Sequence, residues 1–485
     1  MSKRNWWNRA CALFLMCAAT VIASPAQTFK SLVSFDGTDG SEPFAAPVQG
    51  TDGNLYGTTP DGGTNQTGTV FKVTPTGTLT AIYSFCSYCA DGSNPQAGLV
   101  LGTDGNFYGA AASGGIATSP CSSGDGCGTL FKITSKGTLT TLYQFCTVTN
   151  ETTCLDGEGP RAGLVQGTDG NFYGTTPGGG AGIYAEGTVF KITPKGTLTT
   201  LYSFCAETNC TDGEEPMAGL VQATDGNFYG TTTRGGANFY GEVFKISPSG
   251  KLTILHSFDL TDGDGPASAL VQGSDGNLYR TTSGGGSNDC LQSTCGTVFK
   301  ISLDGTFTSL VSFDGTDGAF PEYSPLIQAT DGNFYGTAGG GIDYGGVIYE
   351  ITSSGVTALY NFCSSSCGAD GYGTSSLIQA TNGTLYGNTA GGGTSGDGTI
   401  FSLSVGLGPF VETVPSSGKV GTAVKILGNN LTGATSVTFN GTAATFKVVS
   451  STEITTTVPR GATTGTVQVT TPGGTLTSNV SFRVP

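Results

Sequence analysis

Between residues 28 and 401, short apolar and aromatic runs alternate with glycine-rich polar turns in one order, repeated seven times. A clear unit lies at 162–204. Ala162–Gln166 reads as a first strand, Asn171–Thr176 as a second, Thr188–Thr193 as a third and Leu198–Phe204 as a fourth. Val189, Phe190 and Ile192, with Leu201, Tyr202 and Phe204, supply the β-branched and aromatic content that strands favour. Thr168-Asp169-Gly170 and Pro194-Lys195-Gly196 separate the strands with residues that tolerate positive φ in tight hairpins. Beyond residue 26, no stretch combines the length and the 3.6-residue period of a helix. The pattern predicts an all-β chain of four-stranded antiparallel units.

The phrase Thr-Asp-Gly-Asn-Phe/Leu-Tyr begins at Thr51, Thr103, Thr168, Thr224, Ser274, Thr330 and Thr381, with variation among the later copies. The steps are 52, 65, 56, 50, 56 and 51 residues, within the range of propeller blades. The seventh copy stops after Gly398-Thr399-Ile400-Phe401, and its missing fourth strand stands at the other end as Phe29–Phe35. A four-stranded unit has two faces to bury, and an open stack would need atypical caps, which are absent. The expectation is a seven-bladed β-propeller over 27–406, closed by the N-terminal strand. After Leu407-Gly408-Pro409 the rhythm changes to short strands such as Val424–Ile426, Ser436–Phe439, Ala444–Phe446, Glu453–Thr455 and Gly465–Val469. Residues 409–485 are expected to form an immunoglobulin-like β-sandwich.

Strand phase sorts the loops. First-to-second and third-to-fourth turns share one face and are short; second-to-third loops and blade connections share the other and vary in length. All six cysteine pairs fall on the variable side: Cys86–Cys89, Cys121–Cys127, Cys146–Cys154, Cys205–Cys210, Cys290–Cys295 and Cys363–Cys367. Close, even spacing suits disulfides formed in an oxidising compartment. A structural zinc needs four converging ligands; each pair is expected to sit alone in its blade, so disulfides are favoured. Where a connection lacks cysteine it carries carboxylates: Asp36 and Asp39; Asp259, Asp262 and Asp264; Asp314 and Asp317. These could gather calcium in place of a disulfide, or form Asx turns without metal.

The first residues change the picture of where the protein works. Lys3, Arg4 and Arg9 precede an apolar run from Ala10 to Ile22, and small residues follow. This reads as a signal peptide over 1–26, cleaved after Ala23 or Ala26, and too short to span a membrane. Export to the cell surface or the extracellular space follows, with no membrane span once the leader is gone and a monomer as the simplest state. The formal charge is −15, or −18 without the leader's three basic residues. Such a chain repels phosphate backbones, which excludes nucleic acid as a partner.

The sandwich residues Pro415-Ser416-Ser417-Gly418, Gly428-Asn429-Asn430-Leu431, Val437-Thr438-Phe439-Asn440-Gly441 and Thr471-Pro472-Gly473-Gly474 closely resemble the IPT/TIG family of immunoglobulin-like domains. That resemblance implies a spacer or adhesion module, since the basic DNA-contacting loops of its regulatory members are missing. Gly163-Leu164-Val165-Gln166-Gly167-Thr168-Asp169-Gly170-Asn171-Phe172-Tyr173-Gly174-Thr175-Thr176, followed by Gly187-Thr188-Val189-Phe190-Lys191-Ile192, resembles the GloVer tandem repeat of bacterial exported or surface proteins. Relatives use differing C-terminal anchors. This chain ends in the sandwich, so release is expected. Neither resemblance implies a reaction.

No catalytic residue is assigned. Asp52, Asp104, Asp169, Asp225, Asp275 and Asp331 recur in the same turn of separate blades, whereas catalysis needs groups converging on one centre; they read as turn residues. Blade-specific residues are better binding candidates: Tyr184, Glu186, Arg234, Phe239 and Tyr240 punctuate the variable loops of blades three and four. Exposed aromatics of this kind can stack on sugar rings. Arg280 replaces a recurrent Gly, and His256 a recurrent Tyr; the latter reads as structural. The expected function is recognition or adhesion toward extracellular polysaccharide or a surface protein. The alternatives are a glycoside hydrolase or polysaccharide lyase using acids such as Glu186 and Asp289, and a structural envelope protein.

Overall fold

The computed structural model describes residues 27–86, 90–115, 121, 125–150, 152–290, 293–321, 324–341, 345–363 and 368–485. The expected leader at 1–26 lies outside the described residues, as do Cys89 and Cys367. Seven four-stranded antiparallel sheets follow one another, and the seventh is completed by Thr28–Ser34 pairing antiparallel with Thr399–Ser404. Closure is continued by side chains: Phe35 and Leu55 share a core with Tyr386 and Ile400, and Ser41 Oγ donates to Asp397 at 2.8 Å. Among the described residues no helix is long and apolar enough to cross a membrane.

The recurring phrase is a set of contacts between neighbours. The Asp of each turn accepts the backbone N–H and the side-chain amide of the following Asn and the Tyr hydroxyl, as Asp169 does from Asn171 and from Tyr173 at 2.9 Å. In the seventh blade Asn382 reverses the last bond, its Nδ2 donating to the Tyr386 hydroxyl at 2.9 Å. The Tyr ring packs on the next blade's Phe, with centroids 3.9 Å apart for Tyr108 with Phe172 and for Tyr173 with Phe228. Where the next blade carries Leu278, Leu385 or Leu55, the Tyr shares a core with that leucine. The Gly after the Tyr is steric: a Cβ on Gly57 would stand 2.4 Å from the Phe71 ring. The first Thr then donates to a carbonyl of the next blade, Thr175 to Ala218 at 2.9 Å. The second pairs with the Thr opening the third strand, Thr176 with Thr188 at 2.8 Å.

In the first six blades the first strands are only two residues long, Val165–Gln166 where the pattern predicts 162–166, whereas that of the seventh runs over Tyr372–Gln379. Near the axis the carbonyls of the preceding residues are taken by threonine hydroxyls of the neighbouring blade, so the ladder stops. At the end of these strands a glutamine clasps the blade before it: Gln166, Gln222, Gln272, Gln328, Gln379 and Gln49 each accept the backbone N–H that opens the preceding turn. Blade two breaks the series with Leu101.

Residues 412–477 form two four-stranded sheets around Val424, Ile426, Val437, Phe439, Ile454, Val467, Val469 and Phe482. This sandwich sits on the turn-bearing face of the ring. Phe410 N–H and Asn429 Nδ2 bond Thr381, and Thr452 Oγ1 donates to the Thr51 carbonyl at 2.7 Å. Leu101, at the gap in the glutamine series, packs in one core with Leu427 and Val414 of the sandwich.

Phe29 anchors the closing strand by stacking on Tyr360 of blade six at 3.9 Å. Phe29→Ala should lower the unfolding free energy by about 2 kcal/mol, below the value for a fully buried Phe because this ring is half-buried. Denaturant unfolding measures it, and an unchanged midpoint would show that the seam adds nothing to stability.

Candidate functional site

Seven first strands converge on the axis and enclose a cavity of about 690 Å³. Ala46, Gly98, Gly163, Gly219 and Ala269 occupy equivalent wall positions, and their small size keeps the centre open. Leu99, Leu164, Leu220, Ile327 and Ile378 make the lining mainly apolar. Phe44, Arg161 and Met217 stand toward the variable-loop side, and the sandwich contributes Glu412 and Asn479 at the other end. Glu412 is exposed to the cavity, and the protein around it raises its carboxyl pKa. The sequence signal for the cavity was the run of small residues before Leu-Val-Gln; the part played by Glu412 follows only from domain docking.

On the variable face, blades three and four present the binding candidates read from sequence. Tyr184 and Phe239 are 67% and 64% exposed, and Ile183 beside Tyr184 is 62% exposed. Arg234 pairs with Glu215 at 3.2 Å. The Glu186 carboxyl pKa is raised by burial and then by Glu214 and Glu215, and that of Glu214 by burial and then by Glu215. Tyr240 is half-buried and packs against the core between blades four and five. Asp289 lies in a two-stranded hairpin of blade five, away from the blade-three loop of Glu186.

The aspartate turns share one geometry. Asp36 Oδ1 accepts the backbone N–H and hydroxyl of Thr38, and Asp39 Oδ1 accepts the Asp36 N–H at 3.0 Å. Asp259 with Asp262, and Asp314 with Asp317, repeat it. Thr38, Thr261 and Thr316 hold Asp36, Asp259 and Asp314 below the usual carboxylate range, whereas burial raises Asp39, Asp264 and Asp317. In the disulfide blades Asp156 Oδ1 accepts the Cys146 N–H at 3.1 Å, the same bond with cysteine in place of the first aspartate. The second aspartate also takes a hydroxyl from the fourth strand, Tyr202 to Asp212 at 2.7 Å; His256 stands in that Tyr position and bonds Asp262 at 2.8 Å.

Cys121–Cys127, Cys146–Cys154, Cys205–Cys210 and Cys290–Cys295 are disulfides, and Cys86 and Cys363 are also disulfide-bonded. The expectation that each pair sits alone is corrected for the first two of these. The Cys127 and Cys154 sulfurs are 3.5 Å apart, because the connection leaving blade two folds back over that blade's own long loop. Four sulfurs thus lie within 4.8 Å of one another, an adjacency that linear spacing does not encode.

Two buried charges break the repeat. Arg280 is fully buried; one Nη1 contact reaches Thr231 Oγ1, while Nε and Nη2 lack partners, and burial lowers its pKa. Glu242 takes the place of the third-strand Thr. It accepts the Ser257 hydroxyl at 2.6 Å, but its Oε2 and the facing Thr232 hydroxyl are unpaired. Burial pushes its carboxyl pKa up to about 7, Ser257 opposing and Asp212 adding to the shift.

The Gloeobacter/Verrucomicrobia repeat model matches residues 19–222 and 205–401, and the IPT/TIG domain model matches residues 410–484. No curated protein matches the chain. Similar solved structures include the extracellular domains of two proteins from B. thetaiotaomicron, each titled a "putative hybrid two component system". Their identities are 8% and 12%, each with TM-score 0.48, covering 84% and 94% of this chain and 46% and 57% of theirs. The chain therefore spans about half the length of these two. The PQQ-bound aldose sugar dehydrogenase from Streptomyces coelicolor aligns at 14% identity and TM-score 0.35, covering 78% of this chain and 98% of that one.

Glu242→Thr would restore the hydroxyl pair seen at Thr176 and Thr188. The folded state holds the Glu242 proton up to about pH 7, against 4.5 for the free side chain. The proton-linked stability is complete below the lower value and is lost as pH rises through the upper one. Glu242→Thr should therefore stabilise the fold by about 3 kcal/mol more at pH 8 than at pH 4. Thermal or denaturant unfolding at the two pH values checks this, and an equal effect at both would refute it.

Proposed function

This chain belongs to the Gloeobacter/Verrucomicrobia repeat family and carries an IPT/TIG domain, and on that premise we propose that it is an exported, non-catalytic recognition or adhesion protein. It acts at the cell surface or in the extracellular space and engages a polysaccharide or a surface protein through the variable-loop face of its propeller. The basic and then apolar first 26 residues serve as its export signal in this reading. Disulfides on the variable loops support an oxidising destination.

The observation that carries the proposal is the ledge of Ile183, Tyr184 and Phe239. Three large side chains stand more than 60% exposed on adjacent blades, and the same two blades bring Glu186, Glu214 and Glu215 close enough to raise carboxyl pKa values. Loops held by a rigid ring present such a surface with little ordering cost. Aromatic faces beside carboxylates suit the apolar faces and hydroxyls of sugar rings, or a mixed protein surface.

Tyr184→Ala combined with Phe239→Ala should weaken binding to the engaged glycan or surface protein at least about tenfold, with an unchanged melting temperature because both side chains are exposed. Arrays of bacterial and plant polysaccharides and of cell-envelope proteins provide the measurement. Undiminished binding by the double variant would remove the ledge from the recognition surface.

A further inference from the structure

The central cavity takes its carboxylate from the sandwich and not from the ring. Glu412 projects from the sandwich into a mainly apolar chamber, in which it is the one carboxylate among the lining residues. No ion pair among the described residues includes it, and burial is what raises its pKa, with no neighbouring cation to oppose the shift. Its side chain is exposed to the cavity, which sets a carboxylate at the end of a chamber large enough for a drug-sized molecule. The Asn479 amide lies in the same lining. The side walls are kept clear by Gly and Ala at equivalent positions of five blades, Ala46, Gly98, Gly163, Gly219 and Ala269. The sandwich lies over the turn-bearing face, which leaves the side of Phe44, Arg161 and Met217 for entry.

We propose that this chamber is a ligand site for a compact organic cation, an amine with an apolar body, whose ammonium group meets Glu412 while the body lies against Leu99, Leu164, Leu220 and Ile378. The site is separate from the ledge on blades three and four. Both domains build it: the propeller supplies the apolar wall and the sandwich the carboxylate. An ammonium at Glu412 forms a charge-assisted pair with the carboxylate, and a ligand carboxylate there is repelled.

The test is calorimetric titration of the full chain with a homologous series of linear alkylammonium ions, the matching alcohols and the matching carboxylates. The ammonium ions should bind and the carboxylates should not. Glu412→Gln should weaken ammonium binding about tenfold or more while leaving alcohols unaffected. Gly163→Phe should abolish both, since a Cβ there meets only the Gly98 carbonyl oxygen at 3.6 Å and the added ring has the chamber to fill. Circular dichroism and melting curves confirm that each variant folds, and Ala269→Phe replaces Gly163→Phe if the latter does not. Equal binding of ammonium and carboxylate, ammonium binding unchanged in Glu412→Gln, binding unaffected by the filled chamber, or no binding of any ammonium ion would each overturn the proposal.

Discussion

Each blade has two apolar faces and no helix to cover either, so its stability depends on neighbours on both sides. A ring meets that requirement for every blade at once. The interaction that sets it is the Tyr of one blade against the Phe or Leu of the next, held in orientation by the turn aspartate. Tyr108 on Phe172 and Tyr173 on Phe228 show the stacked form; Asp104 and Asp169 accept the hydroxyls of the two tyrosines. A buried ring with its hydroxyl paired at the rim contributes apolar area without an unsatisfied polar group. The threonine and glutamine clasps then join blades through hydrogen bonds that no single blade makes alone.

Small departures from this grammar place the larger features. Replacing one clasping glutamine with Leu101 leaves an apolar point on the turn-bearing face, and Leu427 of the sandwich uses it. The docked sandwich brings Glu412 to the cavity, so the second domain becomes one end of a chamber. Replacing a buried Thr with Glu242 gives one blade a carboxyl whose proton is held to about pH 7. In each case a single residue acquires its role from being the exception in a repeated environment.

Repetition also separates scaffold from chemistry. The turn aspartates, numerous and acidic, have their oxygens occupied by Asn and Tyr donors, as turn chemistry expects. His256 replaces a Tyr and keeps that Tyr's bond to aspartate. Of the blade-specific residues singled out in the sequence, Tyr184 and Phe239 stand exposed while Tyr240 packs into the core. Their spacing could not distinguish them, because exposure in a loop depends on where the adjacent blade lies.

Strand periodicity, turn residues and the displaced fourth strand are local signals, so the strand order, the seven-fold count, the closing N-terminal strand and a C-terminal sandwich were legible in the sequence. The short inner strands, the meeting of Cys127 with Cys154, the seat at Leu101 and the placement of Glu412 were decided only by the tertiary structure. These depend on contacts between residues tens to hundreds of positions apart. No local pattern specifies which surfaces face each other once a ring has closed and a second domain has docked on it.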